Sequence, residues 1–349
     1  MRKFDYSFLN NGLLPAKLIN LTSGIYSLKT MANLRKEEYE KTFTELEKIA
    51  KVQSVKSSNA IEGIVTSDER IKEIINGDSA PLNHDESEIL GYRDALNQIH
   101  SNHEHIEFCE RDILSLHDIM MSYAGYEYGG KYKDSDNVIM EIDAFGNRKV
   151  RFRPTPAAET KDAMEQLTLA YAVASGDANI NQLLLIPCVI LDFLCIHPFR
   201  DGNGRMSRLL SLLLLYKNGF DAGKYVSFEE QINNYKGYYY EALRLSSEKW
   251  EENENSYFPF IENFLSTLYM CYKELDKRFA VVNGGKVTKK ARIEATVLNS
   301  LVPISKAEIC KIHPDVSPTT VESVLSVMCK EALIRKLGAG RSTRYIRNK

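Results

Sequence analysis

One loop, at positions 197–208, holds most of the side chains in this chain that could carry out chemistry. Its glycines, Gly202 and Gly204, permit positive φ angles and let a ligand come close to the backbone. With Asn203 between them, they would point successive N–H groups outward at the start of a helix. Such a helix N-terminus is a ready binding site for a polyphosphate. The glycine pattern therefore predicts an anion site.

Charged and titratable side chains flank this predicted anion site. Arg205 and Arg208, one helical turn apart, would meet the outer phosphates with their planar guanidinium groups. Asp201 offers the single carboxylate through which Mg²⁺ commonly binds beside phosphate oxygens. His197 can take up a proton near neutral pH. Together these groups predict a nucleotide-phosphate site with a base beside it. The alternative is that the histidine only caps a helix and the glycines only form a turn.

The same positions carry a resemblance to a known family. Residues 197–208 match in full the motif His-Pro-Phe-x-Asp-Gly-Asn-Gly-Arg-x-x-Arg of the Fic (filamentation induced by cAMP) family. The resemblance implies the helical Fic fold and the transfer of AMP from ATP, with Mg²⁺, to a protein hydroxyl. It also implies the roles of the motif residues. These are general base (His197), magnesium ligand (Asp201), anion cradle (Gly202, Asn203, Gly204), β/γ-phosphate contacts (Arg205, Arg208) and structural anchor of the loop (Phe199).

A second, upstream segment resembles the inhibitory motif of the same family, Ser/Thr-x-x-x-Glu-Gly/Asn. It runs from Ser58 to Gly63 and contains Glu62. The resemblance implies that Glu62 reaches the site and pairs with Arg208, where it would compete with the γ-phosphate for one cation. In some relatives this glutamate also positions a water that removes AMP again. Gly63 also fits the simpler role of ending a helix.

Two further segments are assigned by resemblance. A β-hairpin is predicted over 138–152, and in the family such a hairpin is a flap that docks the target as an added strand, here through Val138 and Ile139. A surface hairpin without this role is the alternative. Tyr239 falls at the first tyrosine of the family's Tyr-Tyr-x-x-Leu segment and would touch the nucleoside, although aromatic residues more often belong to a core. Lys133 stands where many relatives carry arginine. The histidines at 84, 100, 103, 105 and 117 are interpreted as surface or capping residues.

Outside the loop the sequence predicts a mostly α-helical protein. Apolar residues recur at helical spacing over 34–60. The segment 182–196 is apolar on nearly every side, which predicts a central buried helix. The remaining predicted helices are 86–100, 111–123, 205–218, 235–249 and 256–278. The fold prediction is therefore a Fic-type helical bundle with a hairpin flap and a small C-terminal winged helix-turn-helix domain.

The charge distribution divides the chain into parts. Residues 286–349 contain 13 Lys and Arg against 5 Asp and Glu, whereas the rest of the chain has 32 against 42. A hinge is predicted at 282–285, where two glycines follow a helical stretch. The predicted parts are an N-terminal helical region with the inhibitory motif (1–95), the catalytic core (96–282) and the basic domain (286–349).

The basic domain leaves two interpretations open. Helices are predicted over 288–301 and 305–312, with a third capped by Ser317, followed by strands over 332–337 and 343–346. Six basic residues at its end would attract phosphate (Arg335, Lys336, Arg341, Arg344, Arg347 and Lys349). The third helix offers few side chains of the types that read bases. The domain therefore binds either DNA or a protein, including a second subunit.

Composition narrows the function further. A chain that is 44% hydrophobic and 26% charged is neither disordered nor fibrous. Its longest apolar run, Leu183 to Leu191, is too short to span a bilayer, and no apolar signal segment follows the start, so a cytoplasmic protein is expected. The hypotheses are a protein adenylyltransferase autoinhibited by Glu62, a DNA-binding regulator whose Fic core only senses nucleotide, and an enzyme that transfers another phosphate-containing group. The expected partners are ATP, Mg²⁺, a target protein (the chain itself included) and a second copy of the chain.

Overall fold

The computed structural model of the chain describes residues 2–77, 79–142, 148–279, 288–298, 300, 303–313, 315–340 and 343–348. Helices make up 65% of the protein, and its strands form two small sheets. The predicted helical class is therefore confirmed. None of the helices in the described residues combines the length and apolar character that crossing a membrane requires.

The elements follow one another as a long helical series interrupted by a hairpin. The helices before the hairpin are α1 (Phe8–Asn11), α2 (Ala16–Glu38), α3 (Glu40–Ile61), α4 (Asp68–Asn76), α5 (His84–Asn102) and α6 (Glu110–Met121). The hairpin strands are β1 (Ile139–Ile142) and β2 (Arg148–Phe152). After them come α7 (Ala157–Ser175), α8 (Gln182–Ile196), α9 (Asn203–Lys217), a 3₁₀ turn (Ala222–Lys224), α10 (Phe228–Asn234), α11 (Lys236–Ser247) and α12 (Phe258–Arg278). The C-terminal part contains α13 (Lys289–Leu298), β3 (Ile304–Ser305), α14 (Lys306–Ile312), α15 (Pro318–Lys330), β4 (Ile334–Leu337) and β5 (Arg344–Arg347).

Helix α8 forms the centre of the protein, as its sequence predicts. Every side chain from Leu183 to Ile196 is buried, and α7, α9, α11 and α12 pack around it. Helix α9 is also buried along nearly its whole length. Because the loop 197–202 joins these two helices, the hydrophobic core fixes both of its ends.

A buried carboxylate ties the N-terminal segment to this central helix. Asp192 of α8 accepts hydrogen bonds from Tyr6 Oη (2.8 Å), Trp250 Nε1 (2.6 Å) and Tyr257 Oη (2.9 Å). The guanidinium of Arg2 lies 3.4 Å from the same carboxylate. Burial raises the pKa of Asp192, and these partners offset part of that effect. The N-terminal segment is therefore part of the main hydrophobic core of the helical body.

The largest disagreement with the sequence prediction lies near the N-terminus. The predicted helix over 34–60 is two helices, α2 and α3, which meet at Tyr39. Tyr39 has φ −127° and ψ 40°, and its ring packs against Phe279. Neither proline nor glycine marks this break, so the helical spacing continues through it in the sequence. Helices α1, α4, α7 and α10 and the first part of α2 were not predicted.

The C-terminal part has a hydrophobic core of its own. The cluster is distinct from that of the body and comprises Ile293, Val297, Ile304, Ile309, Ile312, Val316, Val321, Val324, Leu325, Met328, Ile334 and Tyr345. Three helices pack on a sheet of order β3-β5-β4, in which β3 was not predicted. The winged helix-turn-helix assignment and the domain boundaries stay predictions. The predicted hinge at 282–285, and with it Arg341 and Lys349, lies outside the described residues.

Helices α5 and α6 approach each other closely at a glycine. A Cβ atom at Gly91 would overlap the backbone carbonyl of Met120. Backbone atoms cannot move aside as a flexible side chain can, so only glycine permits this helix spacing. The close approach matters for the site because α6 carries His117.

We expect Gly91→Ala to lower the free energy of unfolding by about 1–3 kcal/mol, the usual cost of overpacking a core. Gly237→Ala is the matched control, because Gly237 lies in a helix with no atom within 4 Å of the added methyl group. That control should be neutral or stabilising, since alanine favours helix over glycine. Urea denaturation of both variants measures the difference. Equal stabilities would contradict the tight packing described above.

Candidate functional site

The loop between α8 and α9 is closed by its own asparagine. The side-chain oxygen of Asn203 accepts a hydrogen bond from Phe199 N (2.9 Å), and its amide nitrogen donates to Phe199 O (2.8 Å). Phe199 is fully buried and so anchors the loop in the core. Because these bonds occupy the side-chain amide of Asn203, only its backbone N–H could take part in the predicted anion cradle.

The first turn of α9 presents backbone donors to a cavity. Gly202 has φ 80°, and the first intrahelical bond is the one that Met206 N donates to Gly202 O (2.8 Å). The amides of Asn203, Gly204 and Arg205 precede that bond, so they are the donors that a helix leaves free at its N-terminus. The helix dipole adds a partial positive charge at this point. The local structure thus suits an anion.

A carboxylate of the same chain lies at this helix start. A Cβ atom at Gly204 would collide with Oε1 of Glu62, so glycine is required for the carboxylate to come this close. Oε1 of Glu62 also accepts a hydrogen bond from Arg208 Nη2 (2.8 Å). Glu62 follows the end of α3, and Gly63 after it has φ 86°, as expected for a glycine that ends a helix. The structure therefore brings the two sequence segments singled out above into direct contact.

Arg208 is held by more than this one acid. It is 2% exposed, its Nε donates to Ser58 Oγ (2.8 Å), and its Nη2 also donates to the carbonyl of Ser58 (2.9 Å). Burial alone would raise the pKa of Glu62, but the charge and the hydrogen bond of Arg208 outweigh burial and lower it. Glu62 is therefore ionised at neutral pH, and the contact is an ion pair.

Arg205, the other predicted phosphate contact, is also paired with acids. It is 1% exposed, and its Nη1 lies 2.6 Å from Oε2 of Glu88, a nearly buried residue of α5. Its Nη2 lies 3.4 Å from Oδ2 of Asp201. Sequence reasoning missed Glu88, because nothing in its surroundings identifies its distant partner. The first motif arginine thus lines the cavity while an acid of the N-terminal region orients it.

His197 is held as a neutral base. It ends α8 in the left-handed conformation (φ 51°, ψ 60°), and its Nδ1 lies 3.3 Å from the carbonyl oxygen of Leu194. A carbonyl can only accept, so Nδ1 carries the proton and Nε2 keeps its lone pair. Burial lowers the pKa of His197 to about 4, and the nearby Lys133 contributes in the same direction. The imidazole is therefore neutral at neutral pH, with Nε2 unprotonated.

Lys133 supports the loop from beneath. It is 5% exposed, its backbone N donates to Pro198 O (2.9 Å), and its Nζ donates to the carbonyl of Ile196 (3.1 Å) and to Asn137 Oδ1 (2.9 Å). A cation at the carbonyl end of α8 is favoured by the helix dipole. Burial lowers the pKa of Lys133 to about 8. Lysine at this position therefore holds the end of the helix that carries the base.

These groups surround one cavity of about 650 Å³. Its lining includes His197, Asp201, Gly204, Arg208 and Glu62, and it continues past Tyr239 and Tyr240 to Ile139 and Met140 of the hairpin. Tyr239 is buried, and burial raises its pKa to about 12. Asp201 is the more exposed acid, with about half of its side chain open to solvent. The cavity is large enough for a nucleotide-sized ligand.

The hairpin places its two predicted docking residues differently. β1 pairs with β2 in antiparallel register, with Ile139 opposite Phe152 and Met140 opposite Val150. Ile139 lines the cavity, whereas Val138 precedes the strand and is 44% exposed. The turn at 143–147 lies outside the described residues.

The structure overturns the interpretation of His117 and His100 as surface or capping residues. His117 is fully buried on α6, and its ring stacks on Phe199 with centroids 3.7 Å apart. Its Nδ1 accepts from Gly130 N (3.1 Å), so its Nε2 donates to the carbonyl of Asp201 (3.1 Å). His100 is also buried, with Glu47 and Tyr216 as partners. The signal for His117 was its spacing, since it falls on the buried face of α6.

The burial of His117 predicts how stability depends on pH. Burial lowers the pKa of His117 to about 4, whereas an imidazole in an unfolded chain titrates near 6.5. Between these values the unfolded state binds more protons, so stability is lost as the pH falls. Lowering the pH from 7 to 5 should cost about 1–2 kcal/mol through this group alone. His117→Gln should therefore lose less unfolding free energy over that interval than wild type does.

Urea denaturation at the two pH values measures this difference. His105→Gln, at an exposed position, serves as the control and should keep the wild-type difference. An identical loss of stability in wild type and His117→Gln would contradict the assignment of a neutral, hydrogen-bonded imidazole beneath the loop.

Comparison with known proteins agrees with this geometry. Residues 107–215 match the Fic/DOC family model. A Fido domain-containing protein of Dictyostelium discoideum is 28% identical over 144 residues, which cover 38% of this chain and 94% of that protein. The crystal structure of a Fic family protein from Desulfovibrio desulfuricans G20 covers 96% of this chain and 97% of its own, with a TM-score of 0.64 at 18% identity.

A Fic domain-containing signaling protein from Bacteroides thetaiotaomicron is similar over 75% of this chain and 96% of its own, with a TM-score of 0.57 at 19% identity. At these identities the solved structures establish a shared fold. The family model adds the segment that contains the loop, including His197 and Arg208. Residues 107–215 are therefore similar in sequence to the Fic/DOC family, and the chain shares its fold with solved proteins of the Fic family.

Proposed function

We propose that this protein transfers AMP from ATP to a serine, threonine or tyrosine hydroxyl of a protein, and that Glu62 inhibits the transfer. The observation that carries the proposal is the pairing of Arg208 with Glu62 over Gly204, in the cavity that also contains the neutral His197. Fic-domain proteins are in general protein AMPylators or other nucleotide transferases. The intact motif from His197 to Arg208 favours ATP as the donor.

The transfer step uses groups already described. Nε2 of His197 accepts the proton of the target hydroxyl as its oxygen attacks the α-phosphorus of ATP. A bond forms between that oxygen and phosphorus, the bond from the α-phosphorus to the bridging oxygen breaks, and pyrophosphate leaves. The amides at the start of α9 and the guanidinium groups of Arg205 and Arg208 would stabilise the phosphate charge. Positioning and charge neutralisation thus account for the catalysis.

Asp201 fits the role of magnesium ligand in this proposal. Its carboxylate is half exposed in the cavity, beside the predicted phosphate cradle. Mg²⁺ in nucleotide sites is held by one or two carboxylates together with phosphate oxygens, so a single acid suffices. The ion would supply charge neutralisation at the phosphates. His117, through its bond to the carbonyl of Asp201, helps to keep this residue in place.

Inhibition follows from the competition of two anions for one buried cation. Arg208 in its present contacts is neutralised by Glu62, and the carboxylate also covers the start of α9. A γ-phosphate directed at Arg208 would have to displace that carboxylate. In some relatives the same glutamate also positions a water that removes AMP again, and we include this removal of AMP in the proposal. The target chain would dock along the hairpin at Val138 and Ile139.

The DNA-binding alternative has no comparable support from the C-terminal part. Of the basic residues proposed to attract phosphate, Arg344 pairs with Glu308 (3.2 Å). Arg347 lines a cavity against α3 and α12 of the catalytic body. One of the predicted DNA contacts, Arg344, is therefore paired with an acid of the same C-terminal part.

Removing the inhibitory carboxylate should activate the protein. With α-labelled ATP and Mg²⁺, we expect Glu62→Gly to incorporate at least roughly tenfold more label into protein than wild type, because one charged hydrogen bond no longer has to be displaced. Glu62→Gln should also activate, since it keeps the shape and removes the charge. His197→Ala in the Glu62→Gly background should lower incorporation by about 10²–10⁴-fold.

This prediction has a matched control and two results that would contradict it. Glu69→Gln, an acid on the exposed side of α4, should behave as wild type. If Glu62→Gly labels neither itself nor any protein in a lysate of the source organism, the transferase proposal is wrong. If Glu62→Gln stays as inactive as wild type, the block does not depend on charge.

Asp201 should determine the magnesium requirement. In the Glu62→Gly background, Asp201→Asn should raise the Mg²⁺ concentration for half-maximal labelling on the order of 10- to 100-fold, because a neutral amide binds the ion poorly. Asp162→Asn, at an exposed position on α7, is the matched control. An unchanged magnesium requirement in Asp201→Asn would contradict the assignment.

A further inference from the structure

A lysine stands where helix electrostatics disfavours it. Lys236 is the first residue of α11, a helix with no acidic residue in its first turn. A cation at a helix N-terminus is unfavourable, because the dipole is positive there. The side chain is half-buried and extends from α11 to α3. Its Nζ donates a hydrogen bond to the carbonyl oxygen of Ile61 (2.7 Å). The contact with α3 therefore explains a residue that α11 itself does not favour.

The acceptor of this bond, Ile61, is the last residue of α3, the helix that precedes Glu62 (called the inhibitory helix below). Carbonyls at the C-terminus of a helix lack intrahelical partners, and a cation is favoured there. Ile61 directly precedes Glu62, and the following turn is closed by bonds from Gly63 N to Ala60 O (3.2 Å) and from Ile64 N to Asn59 O (3.1 Å). Lys236 thus holds the backbone from which the Glu62 side chain reaches Arg208.

The same lysine joins this turn to the far side of the cavity. Its Nζ lies 5.7 Å from the ring centroid of Tyr240, which lines the cavity beside Tyr239 on α11. Lys236 itself is not among the described residues that line the cavity. The contacts of its Nζ are with the carbonyl of Ile61 and the ring of Tyr240. Its position is between α3 and α11.

We propose that Lys236 is a positioning residue for the inhibitory glutamate, a latch through which α11 keeps the Glu62 turn against Arg208. This inference rests on the proposed function for its effect on activity. Loss of the ammonium would free the Ile61 carbonyl and loosen the turn, so Glu62 would leave Arg208 more often. Any change that moves α11, such as filling the cavity beside Tyr239 and Tyr240, would act on the inhibitory turn by the same contact.

Hydrogen exchange tests the latch without reference to activity. The measurement follows the peptide that covers residues 59–64. In Lys236→Met, the amide hydrogens of Gly63 and Ile64 should exchange roughly 5- to 10-fold faster than in wild type, because one charge-assisted hydrogen bond is lost. Lys236→Arg keeps a donor and should restore slow exchange. Lys41→Met, an exposed lysine of the same inhibitory helix, is the control and should leave exchange unchanged. Wild-type exchange in Lys236→Met would overturn the proposal.

Labelling with α-labelled ATP then separates latching from catalysis. Lys236→Met should raise incorporation roughly 5- to 10-fold when Glu62 is present, and should change nothing in the Glu62→Gly background. The same factor in both backgrounds would mean that Lys236 acts on the reaction itself, and the latch would be rejected. If Glu62→Gly is inert, the proposed function fails, while the exchange experiment still decides whether Lys236 holds the turn.

Discussion

The ion pair between Arg208 and Glu62 is the interaction on which the rest of the site depends. A guanidinium that is almost fully buried needs a partner, because an unpaired charge in a protein interior is very costly. Here the partner is the carboxylate of Glu62, and the guanidinium donates two further hydrogen bonds to Ser58. The cation that could bind a nucleotide phosphate is thereby neutralised in advance. Binding of a phosphate must exchange one anion for another, which makes the site sensitive to anything that loosens Glu62.

The N-terminal helices contribute side chains directly to the candidate site. Both motif arginines are paired with acids from this region, Arg208 with Glu62 of the α3 turn and Arg205 with Glu88 of α5. The loop between the arginines and the base is organised from within by Asn203 and from beneath by His117 and Lys133. Such supporting contacts determine how accurately a site is positioned. The loop 197–202 is therefore held in place by residues that are distant in the sequence.

This arrangement explains which parts of the fold and of the candidate site could be predicted from the sequence. The loop could be singled out as a candidate site because its glycine, histidine and arginine residues form a local pattern, and α8 could be predicted because it is apolar on all sides. Glu62 was found only through its resemblance to a family motif. Glu88, His117 and Lys236 were missed because their roles lie in contacts with distant segments. The burial of His117 could have been predicted from its position on the apolar face of α6. The break at Tyr39 could not, because neither proline nor glycine marks it in the sequence.

A structure of Glu62→Gly with a non-hydrolysable ATP analogue and Mg²⁺ tests the central claim most directly. We expect an outer phosphate of the analogue at the position that the Glu62 carboxylate holds in wild type. Its oxygens should lie about 3 Å from the guanidinium of Arg208 and from the amide of Gly204. A triphosphate that lies elsewhere, with Arg208 still bonded only to Ser58, would contradict the claim that one cation serves both anions.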